Sequence, residues 1–461
     1  MNKLKILKGA CLVVATSMIP ISQAAMAEVT ISGWVNEGVT FYDDGVSSDA
    51  VQITDGGNTL GTRMIFAAST EAATGLTVGM EIALEPRSTG TALGWGTFGV
   101  ADNAQGHDIS QVLNNNVWIS GAWGKITFGL QSMPTDNIAV LEDPSLTLWS
   151  GISPVFRGSG VPITGLTNTT GAVAAGLPTF LVDGAGLAVT DISTATLAGA
   201  VWGDFLNCFT EPILRGIVGI GIDCNGATRS GVRYDLPAFG PVSIAIGYAN
   251  DDVYDVTGKW KGSLGRMKAS IALGYAINQG LDADQGNSFV YYNESENFQM
   301  QAGLMDPETG LFGSIAYQHE EADIRPGLQA ALTASVAALG GSAGPLTDDT
   351  DAWWLKVGIK KQWFSMGDTS LSFDYGQYSD EYGFNEAGFG VNGSEVERIG
   401  VAVDQYFGSS LIIYGKWEQL DLDVDCTAAS TLAAVAGTCG GGGYGGAADL
   451  DTFTLGAVYF W

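Results

Sequence analysis

Residues 266–277 read RMKASIALGYAI, in which Met267, Ala269, Ile271, Leu273, Tyr275 and Ile277 alternate with Arg266, Lys268, Ser270, Ala272, Gly274 and Ala276. Successive side chains of an extended strand point to opposite faces, so a period of two separates a bulky apolar face from a small or basic one. Residues 76–84 repeat the pattern, with Leu76, Val78, Met80, Ile82 and Leu84 interleaved by Thr77, Gly79, Glu81 and Ala83. So does the end of the chain, where Phe453, Leu455, Ala457, Tyr459 and Trp461 alternate with Thr452, Thr454, Gly456, Val458 and Phe460. A soluble sandwich shows the same alternation, so the pattern names strands and leaves their solvent open.

Connection lengths decide the solvent. Sixteen segments read as strands: 28–42, 61–70, 76–85, 113–121, 125–131, 228–236, 241–249, 253–261, 266–278, 296–305, 311–320, 351–363, 369–378, 396–406, 410–420 and 450–461. Every second connection is short (71–75, 122–124, 237–240, 262–265, 306–310, 364–368 and 407–409), and those between are mostly long and hydrophilic. An even strand count with short turns at one end and long loops at the other describes an antiparallel barrel that spans an outer membrane. A spanning helix needs roughly 18 or more uninterrupted apolar residues, and no stretch past position 27 offers them. The expected fold is all-β: one transmembrane barrel domain over 28–461, with periplasmic turns and extracellular loops.

Composition agrees. The 461 residues include 49 Asp+Glu against 20 Lys+Arg. That balance excludes nucleic acid as a partner, because phosphate binding needs clustered basic surface. Charged residues make up only 15% of the chain and aromatics 10%, which also excludes a disordered chain. Positions 1–27 read as a cleaved export signal: Lys3, Lys5 and Lys8, then an apolar stretch over 9–21, then Ala25-Met26-Ala27 before Glu28. Cleavage removes those three lysines from the 20 Lys+Arg. Twelve of the others (Arg63, Lys125, Arg229, Arg233, Lys259, Lys261, Arg266, Lys268, Lys356, Lys360, Arg398 and Lys416) fall opposite the apolar face. A charge facing lipid at mid-bilayer costs about 2–4 kcal/mol, so this sorting is what a lipid-contacting exterior demands. Glu37 and Glu397 break the rule by falling on the outer face. Phe41, Trp118, Tyr248, Tyr254, Trp260, Trp353, Trp417, Tyr459 and Trp461 are candidates for the two aromatic girdles.

Four cysteines follow the signal, as two local pairs with no Cys-x-x-Cys and no adjacent histidine to suggest zinc. In an oxidising compartment the expected bridges are Cys208–Cys224 and Cys426–Cys439, with four free thiols as the alternative.

In the order of its segments the chain resembles the general porins of Gram-negative outer membranes. Glu28-Val-Thr-Ile-Ser-Gly-Trp-Val-Asn36 is similar to a porin first strand, and residues 62–85 to the second strand, turn and third strand. Residues 117–131 resemble the strand pair ending in Gly-Arg-Gln, with Leu130 in place of the arginine, and 229–248 is the nearest match. DTFTLGAVYFW resembles the terminal strand, with Trp461 replacing the usual Phe. The resemblance implies a sixteen-stranded homotrimer in the outer membrane, among lipid and lipopolysaccharide, with a third loop folded into the pore. Residues 132–227 occupy that loop's place at about twice the usual length, so short helices and a part capping the mouth are expected there.

A barrel of this size leaves an aqueous channel for small hydrophilic solutes and ions. Arg63, Arg229, Arg233 and Arg398, with Lys125 and Lys268, are expected to line a basic wall facing the loop acids Asp136, Glu142 and Asp143 across the constriction. Acidic outer loops such as Asp43-Asp44, Asp251-Asp252 and Asp348-Asp349 set a weak cation preference as the expectation. A substrate-specific channel, with a solute site built by the long third loop, is the second reading. An outer-membrane barrel enzyme is a distant third, resting on His107 and His319 with no nucleophile elbow or paired metal ligands beside them. No cofactor is expected. Asp282-Ala-Asp284-Gln-Gly286-Asn287 offers a surface Ca²⁺ fragment that lacks a full coordinating pattern.

Overall fold

Alternating faces close on themselves when each strand pairs with a neighbour on both edges. A computed structural model describes residues 28–43, 45, 50–55, 60–72, 75–85, 111–151, 163, 181–182, 188–189, 202–206, 208, 222–224, 228–250, 252–279, 292–338, 343–382, 387, 390–426 and 448–461. Nineteen strands occur among them. The first six are β1 (Glu28–Asp43), β2 (Ala50–Asp55), β3 (Arg63–Glu71), β4 (Thr77–Glu85), β5 (Gln111–Gly121) and β6 (Gly124–Ser132). A small hairpin follows, β7 (Leu181–Val182) and β8 (Ala188–Val189). The chain continues with β9 (Thr228–Asp235), β10 (Val242–Ala249), β11 (Val253–Leu264), β12 (Met267–Asn278), β13 (Tyr292–Met305) and β14 (Leu311–Ile324). It ends with β15 (Asp349–Phe364), β16 (Gly367–Ser379), β17 (Val391–Phe407), β18 (Leu411–Cys426) and β19 (Leu450–Phe460).

Each strand pairs antiparallel with the next, β6 passes directly to β9, and β1 joins β19 through ten residue pairs from Trp34↔Phe460 to Asp43↔Asp451. The other edge of β1 holds β3 along its first half and β2 along its second, so β2 and β3 together make one interrupted barrel strand. The result is a closed barrel of sixteen antiparallel strands. No described helix is long and apolar enough to cross a membrane. Closure pairs the backbone of every strand, which hydrocarbon requires because it offers no hydrogen-bond partner.

The side chains are sorted inside out. Along β12, Ile271, Leu273 and Tyr275 are exposed while Ala272, Gly274 and Ala276 are buried. Ile413, Leu455 and Tyr459 likewise face outward. Inward-facing Gln299, Gln301, Gln318, Asp374 and Arg398 are fully enclosed. Bulky apolar groups outside and amides and charges inside suit hydrocarbon around a polar bore.

Toward the long-loop end the sorting reverses without any change of register. The lower part of β17 and β18 points Val401, Val403, Ile413 and Trp417 outward and Arg398, Asp404 and Lys416 inward. Higher up, Glu395, Glu397, Asp421, Asp423 and Asp425 point outward, and Val396, Leu420, Leu422 and Val424 are buried inside. A strand crosses hydrocarbon in about 9–11 residues, whereas β17 has 17 and β18 has 16. The surplus therefore stands in water and follows the ordinary rule of an apolar interior and a charged exterior. Glu397 belongs to this upper region, where Tyr375 donates to it at 2.6 Å, so its outward position carries no lipid penalty. Glu37 sits beside the interruption between β2 and β3 and accepts from Thr62 at 3.4 Å.

The same reversal explains why the expected strands 296–305, 311–320, 351–363, 396–406 and 410–420 are too short at their long-loop ends: polarity flips there, and the lipid pattern stops before the strand does. Trp118 is a second correction. Its ring stacks over the Lys125 ammonium (5.5 Å) and against Gly79 on the inner face, so it is no girdle residue.

Leu455→Arg places a charge on the lipid face and is expected to destabilise the barrel by about 2–4 kcal/mol. Asp423→Arg, in the upper region, is expected to change stability by less than about 0.5 kcal/mol. Urea titration of refolding into lipid vesicles measures both, and equal costs at the two sites would contradict the assigned water boundary.

Candidate functional site: the loop-lined bore

Where β6 ends the chain turns inward, and residues 133–151 run along the inner wall from β10 round to β1. Met133 packs on Ala249 and Val253. Asp255 of β11 accepts from both the backbone N–H and the hydroxyl of Thr135 at 2.8 Å. Gly274 and Gly303 leave room for the loop, since a side chain at the first would crowd Thr135 and Ile138, and at the second Pro144. Further along, Gln301 accepts the Glu142 N–H at 2.5 Å and Ser270 donates to the Glu142 carbonyl at 2.5 Å. The strip ends in a single helical turn, α1 (Leu148–Gly151), where Ser150 donates to Asp404 at 2.6 Å. There Trp149 meets Trp34 and Phe460 edge to face, at 5.6 and 5.4 Å between ring centroids.

Ion pairs fasten the strip. The buried Glu142 carboxylate lies 2.8 Å from Lys259 and 2.7 Å from Lys261. Asp143 pairs with the buried Lys356, whose ammonium also donates to the Thr147 hydroxyl at 3.0 Å. Lys360 donates to the Ser145 carbonyl at 3.1 Å and lies over the Tyr406 ring at 3.9 Å. Tyr406 in turn donates to the carbonyl of Leu146 at 3.1 Å. Leu146 takes a positive φ at a tight bend that presents its side chain to the bore, a backbone state uncommon for a bulky residue.

The opposite wall, β3 to β9, carries polar groups that remain partly open. Arg63 pairs with Glu85 at 3.2 Å and lies over the Trp34 ring, and Asn114 donates to Glu81 at 2.6 Å. Arg233 pairs with Asp235 at 2.8 Å and donates to the Ser132 carbonyl at 3.1 Å. A bore narrowed by an inward loop and lined with opposed charges can pass hydrated solutes and sort them by size and charge.

Comparison with known proteins agrees with this geometry. A model of the Gram-negative porin family matches residues 10–425. The chain belongs to the Gram-negative porins. Among solved structures, the anion-selective porin from Comamonas acidovorans is similar over 94% of this chain and 100% of that one, with 15% identity and a TM-score of 0.52. A loop L8 deletion mutant of OmpT, an outer membrane protein of Vibrio cholerae, is similar over 94% of this chain and 99% of that one, with 12% identity and a TM-score of 0.50. No curated protein sequence matches. The protein is an outer-membrane porin channel.

Within this porin the expected charged site residues fall into four settings. Arg63, Arg229 and Arg233 share the partly open wall, where the charges of Arg63, Arg233 and Lys259 reach Asp136 on the loop. Glu142 and Asp143 are in direct contact with wall lysines, where the sequence reading sets them across an opening from arginines. Arg398 has no solvent-facing surface and is locked to Asp374 and Glu418, with Lys416 alongside. Lys125 and Lys268 lie at the short-turn end. Cys208 and Cys224 form the expected disulfide, whereas the partner proposed for Cys426, Cys439, lies outside the described residues, as do residues 1–27, His107 and 282–287. The sequence reading missed Asp255, Gln301, Lys356 and Lys360 as loop receptors; their only signal is polarity on an inner face.

Two pairs of loop acids respond to pH in opposite senses. Burial acts to raise Glu142 and Asp143, but Lys259 with Lys261, and Lys356, outweigh it and hold both below their ordinary values. Their contribution to docking is complete above the ordinary values of 4.5 and 3.8, and it is lost as the pH falls through the lowered ones. Asp136 and Asp223 are bridged by Asn137, and burial, then for Asp223 the Asp136 charge, pushes the pair up to about 6 and about 8. Raised carboxylates favour docking when protonated, so this contribution fades as the pH rises from 3.8 toward 8. The loop is expected to be held tightest near pH 4, where the first contribution is nearly complete and the second has only begun to fade. Open-channel noise recorded from pH 3 to 9 should pass through a minimum there, and Asp223→Asn should flatten the alkaline arm.

Lys356→Met leaves Asp143 buried without its cation, a loss of about 3–5 kcal/mol for such a pair. Faster proteinase cleavage within 133–151 and noisier channels are the expected readouts, with barrel folding retained.

Proposed function

We propose that this porin is a passive diffusion channel for small hydrophilic solutes and ions, with a weak cation preference, working as a homotrimer in contact with outer-membrane lipid and lipopolysaccharide. The observation that carries the reading is the polar interior: charges and amides line the inner face around a strip of loop that narrows the bore. The weak preference follows from where charges cancel. At the neck most basic groups have an acid beside them: Arg63 with Glu85, Arg233 with Asp235, Lys259 and Lys261 with Glu142, Lys356 with Asp143. At the long-loop end acids outnumber basic groups among the described positions: Asp43, Asp252, Asp348, Asp349 and Asp425 stand with Arg325, and with Arg229 and His319 near the strand tops. Such a field concentrates cations at low salt. The Comamonas neighbour is named for anion selectivity, and at 15% identity it speaks for the fold alone.

A substrate-specific channel is the second reading, favoured by the several described parts of the long connection, 133–151, 202–206 and 222–224, that pack against the inner wall. The enzyme reading gains no support from His319, which lies on the outer face 3.1 Å from Asp351.

Planar-bilayer recording in a salt gradient tests the proposal. Conductance should scale with bulk salt, and the reversal potential should have the cation-selective sign. Arg63→Ala and Arg229→Ala should each move it further that way; unchanged selectivity in both variants would remove these residues from the neck. Saturation by, or block with, one solute class would favour the substrate-specific reading.

A further inference from the structure

Five described residues that follow the constriction strip in the long connection pack inside the upper part of the bore. Ile163, Trp202, Phe205, Leu206 and Ile222 are almost wholly buried, and they merge with inward-facing residues of β14 to β19, Trp354 and Tyr378 among them, into one apolar core. The upper part of β17 and β18 turns its apolar side inward, so wall and insert are complementary there. From above, helix α2 (Leu328–Ala338) adds Leu332 to the same core. A close-packed apolar cluster holds no continuous water and cannot carry a hydrated ion.

The Cys208–Cys224 disulfide ties the two inserted segments together. Leu206 enters the core two residues before Cys208, and Ile222 two residues before Cys224. Gln318 of β14 grips the bridge from the wall, accepting the Cys224 N–H at 2.8 Å and donating to the Cys224 sulfur at 2.5 Å. Between them Asp223 accepts the Asn137 N–H at 3.3 Å, which couples the insert to the constriction strip.

We propose that residues 202–206, 208 and 222–224 form a resident plug, fastened by the Cys208–Cys224 disulfide, that shuts the bore along β14–β19 and confines conduction to the side lined by β3–β11. The proposal rests on the diffusion-channel reading and adds the position of its path. The plug sets the size limit: the barrel is wide enough for a larger channel than it conducts through.

Two variants test it independently. Cys208→Ser/Cys224→Ser removes the fastening, and Trp202→Ala/Phe205→Ala removes the plug's anchor while leaving the disulfide intact. Each is reconstituted beside wild type, with heat-modifiable mobility confirming a folded barrel, for single-channel conductance and for liposome swelling in sugars of increasing size. Conductance about twofold higher, as expected when a half-closed bore of this class opens, together with entry of larger sugars, supports the plug. Wild-type conductance and wild-type size limit in either folded variant overturn it. Should one variant fail to insert, the other decides alone. Absence of any channel in wild type would instead sink the diffusion-channel reading itself.

Discussion

Hydrocarbon cannot hydrogen-bond to a peptide group, and everything else in this porin follows from that. A sheet inside a bilayer has to close, and closing sixteen strands encloses more space than their own inward side chains can fill. The outer face is then free to be apolar and the inner face free to be wet. The chain uses both freedoms in one alternation, with Ile271, Leu273 and Leu455 toward lipid and Gln301, Gln318 and Lys356 toward the bore.

The constraint ends where the hydrocarbon ends, and the strands show where that is. β17 and β18 keep their register and exchange the polarity of their faces, so a single pair of strands serves two solvents. Below the exchange the barrel is a membrane protein with a polar interior. Above it the barrel is a soluble sheet with an apolar interior, and the long connection supplies the rest of that core. The constriction strip occupies the level between, and it needs a different fastening because the wall there is polar. Glu142 with Lys259 and Asp143 with Lys356 supply it. Buried ion pairs of this kind give little net stability over an apolar contact, but they are costly to break singly. They therefore fix where the loop lies more than how firmly the barrel holds together.

A channel's selectivity depends on which charges remain uncompensated, and here compensation is unevenly distributed. Arg398 lies on an inner face, yet Asp374 and Glu418 close over it and remove it from any field felt by a solute. Arg63 and Arg233 keep about a quarter of their side-chain surface open, so the partly open wall is where a passing ion meets side chains able to respond.

Strand number, face assignment and the side on which basic residues lie were legible in the sequence, because a lipid exterior imposes a period of two over short local windows. The strand tops beyond Glu395 and Asp421 were not, because the same period with inverted polarity reads as a hydrophilic loop. The Cys208–Cys224 bridge was legible from local spacing. The partners of Glu142 and Asp143 were not, for each lies more than a hundred residues away on a strand whose neighbours do not specify it. Local alternation thus determined the barrel and its solvent, since hydrocarbon acts on every strand separately. Which charges meet inside the bore, and how much of the bore is filled, was decided only by closure, which brings distant inner faces to within a few ångströms of one loop.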